Sequence, residues 1–444
     1  MSKILVIGDF ILDMYIQGEM TRFSPEAPVP IFNQKQVKLV AGGAGNVLAN
    51  LHALGADYHG MLVLSQTGSA TGPCKETLPP KVTYWLVPDY DNTIKTRLVT
   101  NNQQVIRVDQ DNKKFLSPKY EYALLKQMTY NFSKLDCEYL VISDYNKGLI
   151  TEEFAVELVT LANKFNVKVI VDTKKKNISC YSGAYLITPN EKEFSSFTHK
   201  ANIEHWLITR GKEGMRWEYP IPEEPYIDVQ HFIAYDVTRP DVSGAGDTVL
   251  ATMAYALSEG KSMFEAIRLA KLAASIVVNK EGTAICTKEE LEAEVKKGKY
   301  KYYSLEEMKN QIDVWKQQNL TVGVINGCFD LLHAGHIHLI KEAKKHCDKL
   351  IILLNSNRSV TKLKGSDRPY NTTREMNLAA IPAVDAILIF DSTTPAFELQ
   401  YLMPDVHFTG TEYTIAEVRK VSPVGIIHQI PHLDNNLSTT RTIT

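Results

Sequence analysis

The sequence predicts an α/β protein made of two successive units, the first of which carries a small β-lid. Three patterns support this prediction. Strand-like apolar runs alternate with amphipathic helical stretches over residues 1–298. Between Tyr15 and Asp109, apolar and polar residues instead alternate as they do in half-exposed strands. The strand–helix alternation starts again at residue 320. Such alternation is typical of a mainly parallel sheet that is covered by helices.

The first unit is predicted to be a parallel sheet with helices packed on it. Its strands are predicted at residues 4–8, 139–143, 167–172, 185–188 and 206–209. Helical spacing of apolar residues is clearest at 152–165 and 263–279. Inside the lid, residues 93–100 and 104–109 alternate with a period of two, which predicts a pair of strands joined by a tight turn.

A charged segment joins the two units. Residues 288–318 shift to lysine, glutamate and tyrosine at helical spacing, which predicts a closing helix, a basic connector and a second helix. We therefore divide the chain into a first domain at 1–298, a helical linker at 299–319 and a second domain at 320–444. The strands of the second domain are predicted at 322–326, 350–355, 386–390, 406–409 and 426–430. Two α/β units predict two ligand sites, because such sheets bind ligands at the carboxyl ends of their strands.

Composition and charge argue against several classes of protein. Lysine plus arginine number 49 against 51 for aspartate plus glutamate, and the formal net charge of −2 gives no basis for broad binding to nucleic acid or anionic membranes. No apolar run reaches the length of about 18–20 residues that a membrane span needs. Residues 1–10 lack the layout of a signal peptide, and the six scattered cysteines contain no CxxC pair. The sequence therefore predicts a cytoplasmic protein with reduced thiols.

The clearest chemical motif of the first unit is Asp241-Val242-Ser243-Gly244-Ala245-Gly246-Asp247-Thr248, which an apolar helix follows. Small residues at a helix start let backbone N–H groups approach an anion, and the helix dipole adds to that attraction. An aspartate at the mouth of such an anion hole, here Asp247, is placed to take a proton from a hydroxyl that attacks phosphorus. The structural alternative is a glycine-rich turn capped by aspartate, and the neighbouring motifs disfavour it.

This octet resembles the signature of ribokinase-like sugar kinases, and other segments follow in that family's order. The matching segments are Gly42-Gly43-Ala44-Gly45-Asn46, Asn190-Glu191-Lys192-Glu193 and Thr209-Arg210-Gly211 with Gly214. Over most of residues 1–285 the resemblance implies a ribokinase-like three-layer fold with a small β-lid. It also implies that Asp247 is the catalytic base and that Gly244, Ala245 and Gly246 form the anion hole.

The resemblance further implies two groups of binding residues. The implied sugar-binding residues are Asp13, Gly42, Gly43 and Asn46, with Asp13 delivered by the first strand as an acceptor for a sugar hydroxyl. The implied ATP-binding residues are Asn190, Glu193, Thr209 and Gly211, and Glu193 is implied to order Mg²⁺ indirectly. Segments 22–30, 102–107 and 143–148 resemble the branch that phosphorylates heptose 7-phosphate at its anomeric hydroxyl. The chain departs from the family at 66–80, where a short segment replaces a full helix near the expected sugar pocket.

The second unit contains Asn326-Gly327-Cys328-Phe329-Asp330-Leu331-Leu332-His333-Ala334-Gly335-His336, which follows a strand and enters a helix. Two imidazoles three residues apart lie on one face of a helical turn, at the helix end where the dipole is positive. His333 and His336 can therefore donate hydrogen bonds to a triphosphate and to the charge that grows as pyrophosphate leaves. A zinc site is the weaker interpretation, because no third ligand follows at metal spacing.

This string resembles the nucleotidyltransferase family that includes the cytidylyltransferases, over about residues 320–444. Further matches are Lys364-Gly365, Arg368-Pro369, the helix that begins at Arg374 and Ser438-Thr439-Thr440-Arg441. The resemblance implies a smaller Rossmann-like domain in which His333 and His336 are catalytic. The nucleotide-binding residues that it implies are Gly327, Phe329, Asp330, Lys364, Arg368, Ser438, Thr439 and Thr440. The chain departs at residues 409–413, where a Thr-Gly-Thr-Glu-Tyr run replaces a Lys-Gly-Gly-Asp-Tyr run and removes a charge-assisted phosphate contact.

A kinase followed by a nucleotidyltransferase is similar to the order found in bifunctional enzymes of ADP-heptose synthesis. The resemblance implies ATP and Mg²⁺ for both halves, sugar phosphates as substrates, and a homodimer formed through the β-lid. Neither nucleic acid nor a membrane is expected as a partner. Two alternatives stay open. One is activity on another sugar or polyol phosphate, with CTP as the nucleotide of the second half. The other is a catalytically silent half that only binds nucleotide or holds the other domain.

Overall fold

The structure is a computed structural model that describes residues 3–66, 71–88, 90–101, 103–112, 114–134, 136–198, 201–220, 227–232, 234, 242–296, 301, 303, 305–364 and 374–431. The chain divides into two compact units, Met1–Ala293 and Glu294–Thr444. The division falls inside the helix Lys288–Lys296, ahead of residue 298, where the sequence analysis ends the first domain.

The first unit alternates strands and helices as the sequence predicts. Its strands are β1 Ile4–Gly8, β2 Phe10–Phe23, β3 Pro30–Gly43, β4 Tyr58–Ser65, β5 Val82–Val87, β6 Thr93–Thr100, β7 Gln103–Gln110, β8 Tyr139–Asp144, β9 Lys168–Thr173, β10 Leu186–Ile187, β11 His205–Thr209, β12 Met215–Pro220 and β13 Ile227–Phe232. Its helices are α1 Ala44–Ala53, α2 Thr71–Glu76, α3 Pro118–Lys134, α4 Glu152–Lys164, α5 Glu191–Ser196, α6 Ala245–Ser258, α7 Met263–Val277 and α8 Lys288–Lys296.

The central sheet of the first unit separates two helical layers. In the described part of the chain, nine strands follow the order β13-β12-β11-β10-β9-β8-β1-β4-β5, and the ladders are parallel except where β12 meets β11 and β13. Side chains alternate between the two faces of a strand. On β1, Ile4 and Val6 pack into one core together with α1, α6 and α7. Leu5 and Ile7 pack into the other core with α3 and α4. Three layers result, which is the predicted architecture.

The β-lid is a separate four-stranded sheet in the order β3-β2-β6-β7. The sequence predicts β6 and β7, but it does not reveal that β2 and β3 are each 14 residues long. Register shifts at Gln17/Gly18 and at Met20/Arg22 interrupt the pairing of β2 with β3, and such bulges break the alternation of period two. Asp13 lies within the lid strand β2, whereas the sequence predicts it at the end of the first strand.

The second unit is a smaller doubly wound sheet. Its strands are β14 Val322–Gly327, β15 Lys349–Asn355, β16 Ala386–Phe390, β17 Val406–Gly410 and β18 Ile426–Ile430. Its helices are α9 Leu305–Gln317, α10 Ala334–Lys344, α11 Asn357–Lys364, α12 Arg374–Ala379, α13 Ala396–Leu402 and α14 Ile415–Arg419. The described strands run parallel in the order β16-β15-β14-β17-β18, so the chain reverses its winding at β14. Ligands bind such sheets in the crevice at this switch point.

Helix α9 is part of the core of the second unit. Met308 and Ile312 are fully buried and Trp315 is nearly so, and all three pack with Val324 of β14 and Ile351 of β15. The charge-rich sequence of residues 299–319 predicts a helical linker, but one face of α9 is apolar and packs into this core. None of the helices in the described ranges is long and apolar enough to cross a bilayer.

Candidate active sites

The N-terminus of α6 forms the centre of the site in the first unit. Gly244 is the N-cap residue with a left-handed φ of 76°, and a Cβ there would lie 2.6 Å from Nδ2 of Asn46. Only glycine combines this backbone conformation with so close a neighbour at low cost. Ala245, Gly246 and Asp247 form the first turn, whose N–H groups have no carbonyl partner within the helix itself. The weak bond from the Ala245 N–H reaches the Val242 carbonyl oxygen at 3.3 Å.

Asp247 is buried and held by two hydrogen-bond donors. Nδ2 of Asn46 donates to its Oδ2 at 3.0 Å, and the Tyr145 hydroxyl donates to its Oδ1 at 2.9 Å. Burial raises the pKa of Asp247 to about 7, and the charge of Asp172 adds to this rise, while the two hydrogen bonds and the Lys174 ammonium oppose it. A carboxyl group with this pKa can accept a proton near neutral pH and release it again.

A buried polar chain fixes the orientation of the Asn46 amide. Nδ2 of Asn50 donates to Oδ1 of Asn46 at 3.2 Å and to its backbone oxygen at 2.9 Å. Oδ1 of Asn50 accepts from the Thr248 hydroxyl at 3.2 Å and from the Cys286 N–H at 3.0 Å. Because Oδ1 of Asn46 is thereby engaged, its NH₂ group points to Asp247. Helices α1 and α6 thus hold the Asp247 carboxylate jointly.

The loop that carries Tyr145 is anchored by the preceding residue. Asp144, fully buried at the end of β8, accepts from the Thr173 hydroxyl at 2.8 Å, from the Tyr181 hydroxyl at 2.6 Å and from Nζ of Lys175 at 2.9 Å. A buried charge is retained when it is paired and fully hydrogen-bonded. This network places Tyr145 at the carboxyl end of the sheet, beside Asp247.

Asp13, predicted to bind the sugar, lies on the side of the lid that meets the body of the first unit. Its Oδ1 accepts from the Arg97 guanidinium at 2.5 Å and its Oδ2 accepts from the Thr283 hydroxyl at 3.0 Å. A Cβ on Gly42 would lie 2.5 Å from Oδ2 of Asp13, so glycine is required at this crossing. Gly43, with φ of 58°, approaches the backbone oxygen of Asp9 in the same way. The Thr283 side chain that donates to Asp13 would also lie 3.2 Å from a Cβ on Gly244, so Asp13 lies close to the start of α6.

The predicted ATP-binding residues begin with a capping box on α5. Oδ1 of Asn190 accepts from the Glu193 N–H at 2.9 Å, and Oε2 of Glu193 accepts from the Asn190 N–H at 2.9 Å. Oε1 of Glu193 contacts Nζ of Lys174 at 2.7 Å. Thr209 pairs with Asn190 across neighbouring strand ends. Gly211 has a left-handed φ of 54°, and apart from its chain neighbours no atom lies within 4 Å of a Cβ built on it.

The two predicted histidines of the second unit meet at the start of α10. His333 is the N-cap residue and His336 is the third residue of the helix, and their rings stack with centroids 3.8 Å apart and planes inclined by 20°. The Phe329 ring lies 4.9 Å from that of His336. Burial lowers the pKa of His336 to about 4, and the neighbouring His333 adds to this effect. The pair therefore presents a neutral His336 at the positive end of a helix, at the switch point of the sheet.

Contacts around this pair tie the ends of β14 and β15 together. Nζ of Lys364, the last residue of α11, contacts the buried Asp330 carboxylate at 3.0 Å. The buried guanidinium of Arg374 donates to the backbone oxygen of Asn355 at 2.8 Å and also to that of Cys328. Gly327 ends β14, where a Cβ would come within 3.1 Å of the Phe329 ring. Arg368, Ser438, Thr439 and Thr440 lie outside the described residues.

The structure places in these sites several side chains for which the sequence motifs predict no role. They are Tyr145, Lys174, Arg97, Thr283, Asn50 and, in the second unit, Arg374 as a clamp on strand ends. Tyr145 and Lys174 directly follow β8 and β9, so the rule that ligands bind at carboxyl strand ends could have found them. Asn50 and Thr283 carry no such signal, because their roles depend on contacts between residues far apart in the chain.

Comparisons with known proteins agree with this geometry. Residues 1–290 match the pfkB family of carbohydrate kinases, and residues 324–441 match the cytidylyltransferase-like family. The bifunctional protein HldE of Paramagnetospirillum magneticum is 35% identical over an alignment of 478 residues that covers 100% of this chain and 96% of that protein. The chain belongs to the HldE family. The HldE protein of Caulobacter vibrioides is 36% identical, with coverage of 94% of this chain and 90% of that protein.

Solved structures confirm the fold of the first unit of this HldE family member. Phosphofructokinase-2 from Escherichia coli in complex with potassium aligns with a TM-score of 0.53 and 18% identity, covering 66% of this chain and 97% of that one. Its complex with substrates and products gives the same TM-score and covers 98% of that chain. The predicted ribokinase-like domain followed by a smaller Rossmann-like domain is confirmed, as are the kinase and nucleotidyltransferase classes.

Proposed function

We propose that this chain catalyses two steps of ADP-heptose synthesis. The first unit transfers a phosphoryl group from ATP to the anomeric hydroxyl of heptose 7-phosphate. The second unit transfers an adenylyl group from ATP to heptose 1-phosphate and releases pyrophosphate. The observation that carries the proposal is the presence, in one HldE family chain, of a doubly hydrogen-bonded Asp247 at one helix start and of a stacked His333–His336 pair at another.

In the kinase site, Asp247 takes the proton of the anomeric hydroxyl while that oxygen attacks the γ-phosphorus of ATP. Asn46 and Tyr145 hold the carboxylate in place, and Asp13 orients the sugar by accepting from a hydroxyl. The N–H groups of Gly244, Ala245 and Gly246 face the transferred phosphoryl group, whose charge the helix dipole also stabilises. The bond to the β,γ-bridging oxygen breaks and ADP leaves.

Mg²⁺ fits the ATP side of this site. Glu193 and Asp172 lie on either side of the Lys174 ammonium, at 2.7 Å and 3.4 Å, so the position already attracts a cation. Carboxylate oxygens are ligands that Mg²⁺ prefers, and the ion usually keeps several waters in phosphate-transfer sites. Glu193 would order the ion indirectly, together with Asn190. When bound, Mg²⁺ neutralises charge on the ATP phosphates.

In the transferase site, an oxygen of the sugar 1-phosphate attacks the α-phosphorus of ATP. An imidazole can donate a hydrogen bond, and the start of α10 adds the favourable end of a helix dipole. His333 and His336 thus stabilise the leaving pyrophosphate, and Lys364 exchanges its contact with Asp330 for a phosphate. Gly327 and Phe329 shape the nucleotide pocket at the end of β14.

The loop after β17 differs from that of the heptose branch. Thr409 is nearly buried within the strand, and the Glu412 carboxylate folds over Gly410. A lysine in place of Thr409 would attract a phosphate, whereas the threonine supplies no positive charge. We expect weaker binding of the sugar phosphate by this half. Activity on another sugar or polyol phosphate is the alternative that this departure motivates, and the HldE relatives do not favour it.

A second copy of the chain is the proposed partner of the lid. Ile16 of β2 faces Val37 of β3 and Leu98 of β6, and Leu98 faces Ile106 of β7, so these side chains form an apolar row across the sheet. Val37 is 41% exposed and Ile106 is 51% exposed. Exposed apolar rows of this kind mark interaction surfaces.

Light scattering should show that the wild-type chain is a dimer and that Ile106→Glu dissociates it. Val156→Glu, on the exposed face of α4, is the control and should leave the dimer intact.

The cytoplasm is the proposed location, because ATP and sugar phosphates are available there. Fractionation of the native host should recover the chain with cytoplasmic marker enzymes. Its recovery with the membrane fraction would refute this location.

Phosphorus NMR with ATP and Mg²⁺ tests the two activities directly. Heptose 7-phosphate in one tube should give a new anomeric phosphate, and heptose 1-phosphate in a second tube should give ADP-heptose with pyrophosphate. Asp247→Asn should lower the first activity by about 10²–10⁴-fold, since it removes the base, and should leave the second intact. His336→Ala should do the reverse. Silence of the wild-type protein in both tubes would refute the heptose assignment.

A further inference from the structure

Lys174 lies where the ATP side of the kinase site meets the catalytic base. It directly follows β9, and its ammonium is 2.7 Å from Oε1 of Glu193 and 3.4 Å from the Asp172 carboxylate. One third of its side chain, 33%, is exposed, so a ligand can reach it. The two carboxylates that it contacts are less exposed, at 5% for Asp172 and 18% for Glu193, so Lys174 is the most accessible group of this cluster.

A second contact connects Lys174 with Asp247. The Lys174 ammonium lies 5.4 Å from the centre of the Tyr145 ring, and the hydroxyl of the same ring donates to Oδ1 of Asp247 at 2.9 Å. A cation at this distance is attracted by the electrons of the ring. The charge of Lys174 also acts on Asp247 itself. Lys174 is therefore within electrostatic reach of the base and in direct contact with the residue that orders the ATP phosphates.

We propose that Lys174 is a further catalytic residue of the kinase, which binds the transferred phosphoryl group and stabilises its charge in the transition state. This inference rests on the proposed kinase function. As the anomeric oxygen bonds to the γ-phosphorus, its proton passes to Asp247 and the bond to the β,γ-bridging oxygen breaks with departure of ADP. The N–H groups at the start of α6 face the equatorial oxygens from one side, and Lys174 supplies a cation from another.

Three carboxylates act on the Lys174 ammonium, namely Asp172, Glu193 and Asp247. Each of them repels a polyphosphate when it is ionised, and the Lys174 ammonium offsets part of this repulsion. Preorganised donors that are aimed at developing charge contribute most in a site that excludes water. A purely structural ion pair that holds α5 to β9 is the competing role for Lys174, and it predicts a loss of stability without a selective loss of turnover.

Steady-state kinetics of the full-length chain separate these two roles. Lys174→Met should lower the kcat of sugar phosphorylation by about 10²–10³-fold, which is typical for removal of one transition-state donor. The KM values for ATP and heptose 7-phosphate should change by less than about threefold, because the contact is made in the transition state. Lys174→Arg should recover part of the rate. Lys176→Met, at an exposed neighbouring lysine, is the matched control and should retain wild-type kinetics.

A binding measurement provides a readout that does not depend on turnover. ADP with aluminium fluoride, Mg²⁺ and heptose 7-phosphate mimics the planar phosphoryl group, and transition-state analogues report contacts that the ground state lacks. By calorimetry, Lys174→Met should bind this mixture at least about tenfold more weakly, while its affinity for Mg-ADP alone stays unchanged. The proposal is overturned if the variant binds the mimic as tightly as the wild type, or if its kcat stays within threefold of the wild-type value. Failure of the wild type itself to phosphorylate heptose 7-phosphate would instead refute the proposed function.

Discussion

Asp247 and His336 occupy equivalent positions, the third residue of a helix, yet burial moves their pKa values in opposite directions. Burial disfavours the charged form of any group, so it raises the pKa of a carboxyl and lowers that of an imidazole. The pKa of Asp247 rises to about 7 and that of His336 falls to about 4. Asp247 can thereby accept and release a proton near neutral pH, whereas His336 stays neutral and can form hydrogen bonds.

These pKa values predict different pH profiles for the two activities. The kinase needs deprotonated Asp247, so its kcat/KM should fall about tenfold from pH 8 to pH 6 as a group with a pKa near 7 becomes protonated. His336 stays neutral across this range and should set no limb in the profile of pyrophosphate release. Tyr145→Phe removes a hydrogen bond that lowers the pKa of Asp247, so it should move the kinase limb to higher pH.

Both activities can be followed in one buffer series at constant ionic strength. Wild-type protein serves as the reference for Tyr145→Phe. A kinase profile that is flat from pH 6 to pH 8, or a limb that moves to lower pH in the variant, would contradict the assignment of Asp247 as the base.

At the scale of single elements, each site depends on the start of one helix. The start of α6 holds two glycines, Gly244 and Gly246, both of which the sequence predicts as part of the anion hole. The structure distinguishes them. Gly244 has a left-handed backbone and a Cβ there would meet Asn46 at 2.6 Å, whereas nothing lies within 4 Å of a Cβ on Gly246. The first glycine is required by the fold, and the second leaves room that a phosphate can use.

Substitution by alanine should therefore separate folding from phosphate binding. Gly244→Ala should lower the free energy of unfolding of the first unit by about 1–3 kcal/mol, because a residue with a side chain is forced into a strained backbone region. It should also lower kinase turnover by displacing Asn46 from Asp247. Gly246→Ala should leave the stability unchanged or raise it by up to about 1 kcal/mol, since alanine is the better helix former.

Thermal unfolding and the KM for ATP measure the two effects. Gly246→Ala should raise the KM for ATP because its methyl group occupies the space next to the phosphates. Equal destabilisation by both substitutions would show that the difference between the two glycines is not what the geometry indicates.

At the scale of the whole molecule, each unit has its own hydrophobic cores. Two clusters flank the large sheet of the first unit and two others flank the small sheet of the second. Trp315 of α9 belongs to a core of the second unit, and its neighbour Val314 is 44% exposed. The charged composition of this helix hides its structural role in the sequence, since only one face is apolar.

Trp315→Ala in the full chain should selectively destabilise the transferase half. Removal of a buried tryptophan typically costs about 3–5 kcal/mol, a large part of the total stability of a domain. Pyrophosphate release should then be lost at a lower temperature than sugar phosphorylation. Val314→Ala is the matched control and should change stability by less than about 0.5 kcal/mol. Loss of both activities at one common temperature would contradict the separate stability of the two units.

Most of the α/β scaffold could be predicted from local patterns, and the bulged strands β2 and β3 could not. Short apolar runs and helical spacing are local properties, so residues 4–8, 386–390 and 426–430 are predicted with the bounds that the structure gives them. Bulges between β2 and β3 depend on how the two strands pair across the sheet. The apolar–polar alternation of one strand does not reveal this pairing.

By itself, the sequence determined the order of the two α/β units, the motifs at the starts of α6 and α10 and hence the two classes of chemistry, because each motif is contiguous in the chain. Only the tertiary structure decided which distant groups act on these motifs. Asn46 and Tyr145 reach Asp247 across 201 and 102 residues of sequence. Lys174 contacts both Glu193 and Tyr145, because the ends of β8 and β9 and the start of α5 lie at one edge of the sheet. Contacts of this kind arise from packing, which fixes distances that no sequence spacing specifies.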